Sequence, residues 1–317
     1  MNNTDLKTQL IADFKTAEGR MNGEAKSAVH QIRKQALERF DKLGFPTIRH
    51  EEWKYSNVKN LVNQAFEFNA VTDFSAKDLE EMPIPNLEGN ILYFINGVYN
   101  AELSIIVSPI IELQILTFAE AAKMQPELVE QYFNKHSDYQ DNAFTALNTA
   151  FANNGIFVHV PDNKVVTQPI ILRFISDART LNVASQPRNL IVVGKRSEVQ
   201  IAEAYRSLGD NASFTNAVTE FVIGEEANVH YYKIQNESDK SYHIGTTSVL
   251  QADKSVFTAN TVTANGGFVR NNLNVKIDGE YAEANMYGLY IPNGKQHVDN
   301  HTAVDHAKPN SNSNELY

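Results

Sequence analysis

The densest group of ligating and proton-carrying side chains is His297-Val298-Asp299-Asn300-His301, followed by Asp305-His306. Along a strand, side chains alternate between faces, so His297, Asp299 and His301 would share one. Two imidazoles and a carboxylate suit zinc or iron. The same residues suit a polar ladder hydrogen-bonded to neighbouring strands. No further ligand is evident nearby. A ladder or partner contact is therefore the preferred reading, with His297, Asp299 and His301 as metal candidates in second place.

Other chemistries have less support. Cysteine is absent, which excludes disulfides, thiolate metal sites and cysteine nucleophiles within this sequence. Ser213 and Ser248 lack the G-x-S-x-G elbow that exposes a nucleophilic serine. Gly194 and Gly224 lie in no G-x-x-x-x-G-K-[ST] loop, so no ATP site is expected. His159 and His230 fall in strand-like runs and read as structural. Tyr231-Tyr232, Tyr287 and Tyr290 could face a sugar, but cross-strand stacking is the simpler role.

The elements that must position these residues fall into two textures. Residues 1–155 read as a mostly helical region. Leu6, Leu10, Ile11 and Phe14 form an amphipathic stripe. From Glu24 to Leu43, apolar residues recur at spacings of three and four, ending at Gly44 as a C-cap and Pro46 as a stop. Pro83 and Pro85 break the chain. Strand-like runs follow at 91–95 and 112–116. Thr117-Phe118-Ala119-Glu120 is a capping box opening a helical stretch to about Phe133.

From 156 to 317 the chain reads as strands rich in Val, Ile, Thr and Tyr, separated by Gly, Asn and Asp. Val199, Val229, Val256 and Ala284 are spaced by 30, 27 and 28 residues, and Ile170 precedes Val199 by 29. Val193-Gly194, Ile223-Gly224 and Asp278-Gly279 recur at matching places. A repeat of this length made only of strands and turns predicts a solenoid, here a right-handed parallel β-helix. Leu273, Val275 and Ile277 should point inward, and Asn274, Lys276 and Asp278 outward. The alternative is a β-sandwich or jelly roll. Asn265-Gly266 is the one dipeptide suggesting a hairpin.

Composition narrows the partners. With 317 residues, 42% of them hydrophobic and 21% charged, the chain is an ordinary globular protein. The 38 acidic against 28 basic residues give a net charge of −10, spread along the sequence. No basic cluster with interleaved aromatics suggests nucleic acid. No apolar run is long enough to span a membrane. Met1-Asn2-Asn3-Thr4-Asp5 lacks the basic and apolar regions of a signal peptide, so the cytoplasm is the expected location.

Three blocks resemble the SufB/SufD family. Residues 44–55, reading G-F-P-T-I-R-H-E-E-W-K-Y, resemble an early family segment and favour its SufD branch. Phe144-Thr145-Ala146-Leu147-Asn148-Thr149-Ala150, then Gly155 and Val160-Pro161, is similar to the F-x-A-L-N-x-A block. His297 to Thr302, Asp305-His306-Ala307-Lys308-Pro309 and Ser313-Asn314-Glu315 resemble the signature shared by both branches. The matching positions are thus Glu51, Glu52, Trp53, Lys54, Tyr55, His297, Asp299, His301, Asp305, His306 and Pro309.

The resemblance implies a non-catalytic scaffold subunit of the SUF iron–sulfur cluster assembly machine. It implies an N-terminal helical region, a right-handed parallel β-helix and a C-terminal helical region. It implies pairing with SufB, work with the SufC ATPase, and a cluster and ATP handled by the whole complex, with no cofactor, metal or flavin assigned to this chain alone. A homodimer is expected when the chain is isolated. Where the family usually has a cysteine after D-H-x-x-P, this sequence has Ser311, which cannot supply a thiolate. In the family, a further β-helix turn and the helical region carrying the SufC contact and a cluster-associated histidine follow the part that ends here at Tyr317, so neither role falls on these residues. The rival function is a β-helix carbohydrate-active enzyme or a jelly-roll metal enzyme using His297, Asp299 and His301. Trp53, the single tryptophan, is expected to be a buried anchor.

Overall fold

A computed structural model describes residues 5–19, 27–80, 82, 88–137 and 139–317. Its helices are α1 (Leu6–Glu18), α2 (Ala28–Leu43), α3 (Lys59–Val62), α4 (Ala76–Glu80), α5 (Phe118–Met124), α6 (Pro126–Tyr132) and α7 (Ala143–Ala150), with a 3-10 turn at Glu51–Trp53. The early strands are β1 (Glu67–Phe68), β2 (Asn90–Ile95), β3 (Val98–Ile105), β4 (Gln114–Thr117), β5 (Ile156–Val160), β6 (Ile170–Asp177), β7 (Val183–Ser185) and β8 (Arg188–Val193). Then come β9 (Glu198–Leu208), β10 (Ser213–Ile223), β11 (Asn228–Asn236), β12 (Ser241–Gln251), β13 (Val256–Asn265), β14 (Phe268–Ile277), β15 (Glu283–Tyr290), β16 (His297–His306) and β17 (Asn312–Leu316).

From β8 onward successive strands alternate between two sheets, and each pairs in parallel with the strand two further on. This is a parallel β-solenoid. Among the described residues, antiparallel pairing occurs only between β2 and β3 and between β4 and β5, at one end of the sheets. The alternative sandwich is therefore not formed. Asn265-Gly266 is not a hairpin either, since β13 and β14 lie in different sheets and the dipeptide turns the corner between them.

The repeat holds with two corrections of register. Val199 pairs with Val229 as expected. Val229 then pairs with Phe257, not Val256, and Phe257 with Ala284. Ile170 pairs with Ile201, not Val199. A one-residue slip moves a side chain to the other face. Phe257 accordingly fills the lumen, and Val256 faces outward with part of its surface exposed. Leu273, Val275 and Ile277 are buried in the lumen, while Lys276 and Asp278 are exposed.

The glycines of the repeat mark where one coil rests on the next. A Cβ on Gly194 would lie 2.6 Å from the Asp162 nitrogen, one on Gly224 2.8 Å from the Lys195 nitrogen, and one on Gly279 2.1 Å from the Asp253 nitrogen. The adjoining turns stack through backbone bonds. Arg196 N–H donates to Glu225, Glu226 to Asp253 and Lys254 to Glu280, each from a left-handed residue with φ between 54° and 58°.

The helices obey their local signals. Asp5 and Ser27 cap α1 and α2, and Leu6, Leu10 and Phe14 are buried. Residues 24–26 of the helix predicted from Glu24, and Pro83 and Pro85, lie outside the described residues. Gly44 ends α2 at φ 64°, with its N–H on the Phe40 carbonyl. The Thr117–Glu120 capping box forms. The helix it opens does not run unbroken to Phe133: Pro126 has no N–H to donate, so α5 stops and α6 starts with that proline in its first turn.

This helical region packs on the outer face of the larger, nine-stranded sheet. Phe40, Trp53, Phe66, Phe144 and Leu147 form one apolar cluster with Phe214, Ile244 and Phe268 from that face. Buried polar ties fix the docking. Asn148 Nδ2 donates to the Pro187 and Asn216 carbonyls at 2.9 and 2.8 Å, and Asn216 Nδ2 donates in return to the Phe144 carbonyl at 2.9 Å. Arg188 is fully buried, ion-paired with Glu220 and bonded to Thr149 Oγ1 at 2.9 Å. An uncompensated charge here would be costly, so the pair and its bonds must form together.

Candidate functional site

The 3-10 turn at Glu51–Trp53 and the outward face of β14 and β16 meet over a small polar junction. β16 pairs with β14 so that Asp299 lies opposite Arg270 and His297 opposite Phe268. Alternation then sends His297, Asp299 and His301 to one face, as the spacing predicts. That face is covered by residues 240 or more positions earlier in the chain. Ser56 Oγ lies 3.0 Å from His297 Nε2 and 2.5 Å from Asp299 Oδ2. Arg270 Nη1 donates to the same Asp299 oxygen at 2.5 Å, and its Nε donates to Asn272 Oδ1 at 3.0 Å. The His297 ring stacks on Phe268 with centroids 5.0 Å apart, and His301 Nε2 sits 3.1 Å from Glu52 Oε2.

Trp53 is 7% exposed. Its ring contacts Phe144 at 5.1 Å between centroids, and the Arg270 guanidinium lies 4.2 Å from its centre. The three sequence blocks, around Trp53, Phe144 and His297, thus converge on one place.

Serine, histidine and aspartate in mutual contact invite comparison with a hydrolytic triad, but the connectivity differs. In a triad the histidine stands between serine and carboxylate, taking the serine proton while the acid orients it. Here Ser56 stands between the other two. Its hydroxyl has one proton, which goes to Asp299, so it accepts from His297 Nε2–H. Asp299 is also engaged by Arg270. Ser56 is buried. The arrangement is a tie holding the 3-10 segment to the sheet.

The three metal-ligand candidates each have a partner within the chain. Asp299 is committed to Ser56 and Arg270, His297 to Ser56 and His301 to Glu52. Among the described residues, no group of three or more His, Cys, Asp or Glu is arranged to hold a metal ion.

The remaining signature residues scatter around the junction. Lys54 lies 5.5 Å from the Tyr55 ring, and Tyr55 is 82% exposed. Asp305 shares the His297 face but lines a neighbouring cavity with His136 and Lys276. Burial holds the His136 imidazole below its ordinary pKa, opposed by the charge of Glu220. His306, on the opposite face of β16, approaches Ser313 at 3.0 Å, and Pro309 is exposed. Ser311 stitches two turns, accepting from Ala282 N–H at 3.0 Å and donating to the Gly279 carbonyl at 2.9 Å.

Ser56 and Arg270 escape a reading of the sequence. Arg270 was reachable: it lies 29 residues before Asp299, one coil length, which places a cation beside that carboxylate. Ser56 carries no such signal, because its approach depends on how the helical region docks.

The fold and junction define a class: a β-solenoid protein whose signature residues clamp an N-terminal helical region to the solenoid's outer face. Family comparison gives that class a name. Residues 4–172 match the family described as SufBD protein N-terminal region, and residues 174–317 match the SufBD core domain of SUF system iron–sulfur cluster assembly. The chain belongs to the SufBD family. It is 27% identical over 305 residues to an iron–sulfur cluster assembly SufBD family protein of Synechocystis, covering 94% of this chain and 67% of that protein. It is 23% identical over 288 residues to the iron–sulfur cluster assembly protein SufD of Escherichia coli, covering 89% and 64%. A chloroplastic SufBD family protein of Arabidopsis thaliana is 25% identical over 296 residues, covering 90% and 47%. The chain therefore spans between about half and two thirds of the length of these relatives.

Proposed function

We propose that this protein is a SufD-like scaffold subunit that pairs with SufB and works with the SufC ATPase in iron–sulfur cluster assembly. The observation that carries the reading is the convergence of the three family blocks on one junction, in a chain matched by the two SufBD family regions over residues 4–172 and 174–317. Residues that clamp helices to the solenoid maintain a surface rather than a reaction centre. Within this reading the isolated chain turns over no substrate and hydrolyses no ATP, and the cluster and nucleotide belong to the complex. Among the described residues no helix is long and apolar enough to cross a membrane, and the proposed site of action is the cytoplasm.

The test is co-expression with SufB and SufC from the same source, with an affinity tag on this chain. SufB and SufC should be retained together through a salt wash and gel filtration. Elution of the tagged chain free of both, from cells shown to contain them in soluble form, would overturn the proposal.

A further inference from the structure

The N-terminal end of the solenoid carries an apolar surface that the scaffold reading does not use. β3 is the outermost strand of one sheet and β4 the outermost strand of the other, so residues 106–113 cross the end of the solenoid between them. Leu113 turns inward, 2% exposed, and joins the lumen core. Ile105, Ile106, Val107, Ile110 and Ile111 turn outward, with 53, 46, 50, 79 and 66% of their surface exposed. Terminal elements of a solenoid ordinarily present a polar outer face, because no further coil stacks on them. Single exposed apolar residues are commonplace, but five branched aliphatic ones within seven positions of a capping segment mark a contact surface.

The segment is held in this pose. Asn90 is fully buried, and its Oδ1 accepts from the Val107 and Ser108 N–H groups at 3.0 and 2.9 Å. Its Nδ2 donates to Ser108 Oγ at 2.9 Å and to the Gln168 carbonyl at 3.0 Å. The Glu112 and Leu113 N–H groups both donate to the Pro109 carbonyl, closing a turn with Ile110 and Ile111 on its outside. A surface fixed in advance loses little entropy on binding.

Charge selects the occupant. No Lys, Arg or His occurs from residue 78 to residue 122, a stretch that holds seven Asp and Glu. Glu102 and Glu112 flank the apolar run in sequence, and Glu88 stands two residues before Asn90; Glu88 and Glu102 are exposed. A second copy would bring the same carboxylates face to face, in a chain of net charge −10. An anionic membrane would be repelled as well, and the run lacks the Trp, Lys and Arg of interfacial segments. A protein surface with apolar residues set among Lys or Arg side chains satisfies both features.

We infer that this end of the solenoid docks a partner protein through an apolar surface flanked by basic side chains. The patch is small, so the contact is weak and transient, with a Kd on the order of micromolar. It is additional to the pairing with SufB and SufC and does not rest on it.

The probes are a fluorescein-labelled peptide of leucine and lysine patterned as an amphipathic helix, and its counterpart with glutamate in place of lysine. Each is titrated with the full chain at constant ionic strength and followed by fluorescence anisotropy. The leucine–lysine peptide should bind saturably, and the leucine–glutamate peptide at least about tenfold more weakly. Ile110→Ser with Ile111→Ser, at exposed positions, should weaken binding of the first peptide at least about tenfold. Leu289→Ser should leave it unchanged, since that exposed residue lies on β15 near the other end of the same sheet. Glu102→Gln with Glu112→Gln should also weaken it. No saturable binding of the leucine–lysine peptide up to roughly 1 mM, equal affinity for the two peptides, or unchanged binding in the Ile110→Ser/Ile111→Ser chain would overturn the inference. So would a dimer of the unaltered chain that the paired isoleucine changes dissociate, or sedimentation with phosphatidylserine vesicles that the same changes abolish, because each names a different occupant.

Discussion

Arg270 lies with its guanidinium carbon 4.2 Å from the centre of the Trp53 ring, a residue 217 positions earlier, while the same side chain holds Asp299 one coil away. The contact joins the helical region to the solenoid by stacking on one side and an ion pair on the other. Arginine suits both demands, because its planar charge is weakly hydrated and packs on aromatic faces.

Trp53→Ala should therefore lower stability by roughly 3–5 kcal/mol, combining lost burial with the cavity left beside Phe144. Arg270→Ala should cost a comparable amount, because Asp299 keeps its charge and loses its cation. Chemical denaturation checks both. A midpoint unchanged in Trp53→Ala would show that the stack holds nothing together.

Ser56 and His301 provide a contrast within the same junction. Ser56 is buried and serves two partners, so Ser56→Ala should cost about 1–3 kcal/mol through the polar groups it strands. His301 and Glu52 meet on the surface, with side chains 45% and 65% exposed. Exposed pairs contribute about 0–1 kcal/mol, so His301→Ala should be near neutral. Denaturation midpoints for the two variants should differ clearly, and a larger loss in His301→Ala would reverse the assignment.

The solenoid is legible in the sequence because its two causes, alternation and a constant coil length, both act locally along the chain. Its register is less so. Val256 and Phe257 are adjacent apolar residues, and only pairing with Val229 decides which of them enters the lumen. The site divides along the same line. That His297, Asp299 and His301 share a face follows from strand geometry alone. That Ser56, Trp53 and Glu52 cover this face is a tertiary fact, set by Phe144, Asn148 and the Arg188–Glu220 pair drawing the helical region onto the sheet.

The corner glycines supply a test of coil stacking that leaves the junction untouched. At Gly224 and Gly279 an added Cβ would press on backbone of the preceding coil, at 2.8 and 2.1 Å, and backbone in a stacked ladder cannot swing aside. Gly224→Ala and Gly279→Ala should each cost about 1–3 kcal/mol, with Gly279→Ala the worse. Gly294→Ala tests a different demand. A Cβ there would meet no atom within 4 Å, but the residue's φ is 60°. Backbone strain at that position should cost roughly 1 kcal/mol. Thermal melts of the three variants rank the two effects, and equal stability in all three would remove the stacking argument.

Two histidines of the sheets, His243 buried and His159 half-buried, contribute to the protein's acid sensitivity. His243 is fully buried, with Nδ1 2.8 Å from Glu237 Oε2 and its ring edge-on to Tyr205 at 4.5 Å. Burial pushes its imidazole below the ordinary value of 6.5, and nearby Lys233 adds to this, while Glu237 and Glu203 oppose it. Burial lowers His159 in the same way. In the unfolded chain these histidines take up a proton near pH 6.5, whereas the folded chain resists doing so until lower pH. Between those two points the unfolded state holds more protons, so stability is intact above pH 6.5 and falls as the pH drops below it. Each such histidine contributes a slope of at most about 1.4 kcal/mol per pH unit. Denaturant unfolding at about pH 7.5, 6.5 and 5.5 should show little change across the first interval and a loss across the second. His243→Gln keeps an N–H for Glu237 but cannot titrate, so its loss below about pH 6.5 should be shallower than that of the unaltered chain. Equal slopes in the two chains would place the acid sensitivity elsewhere.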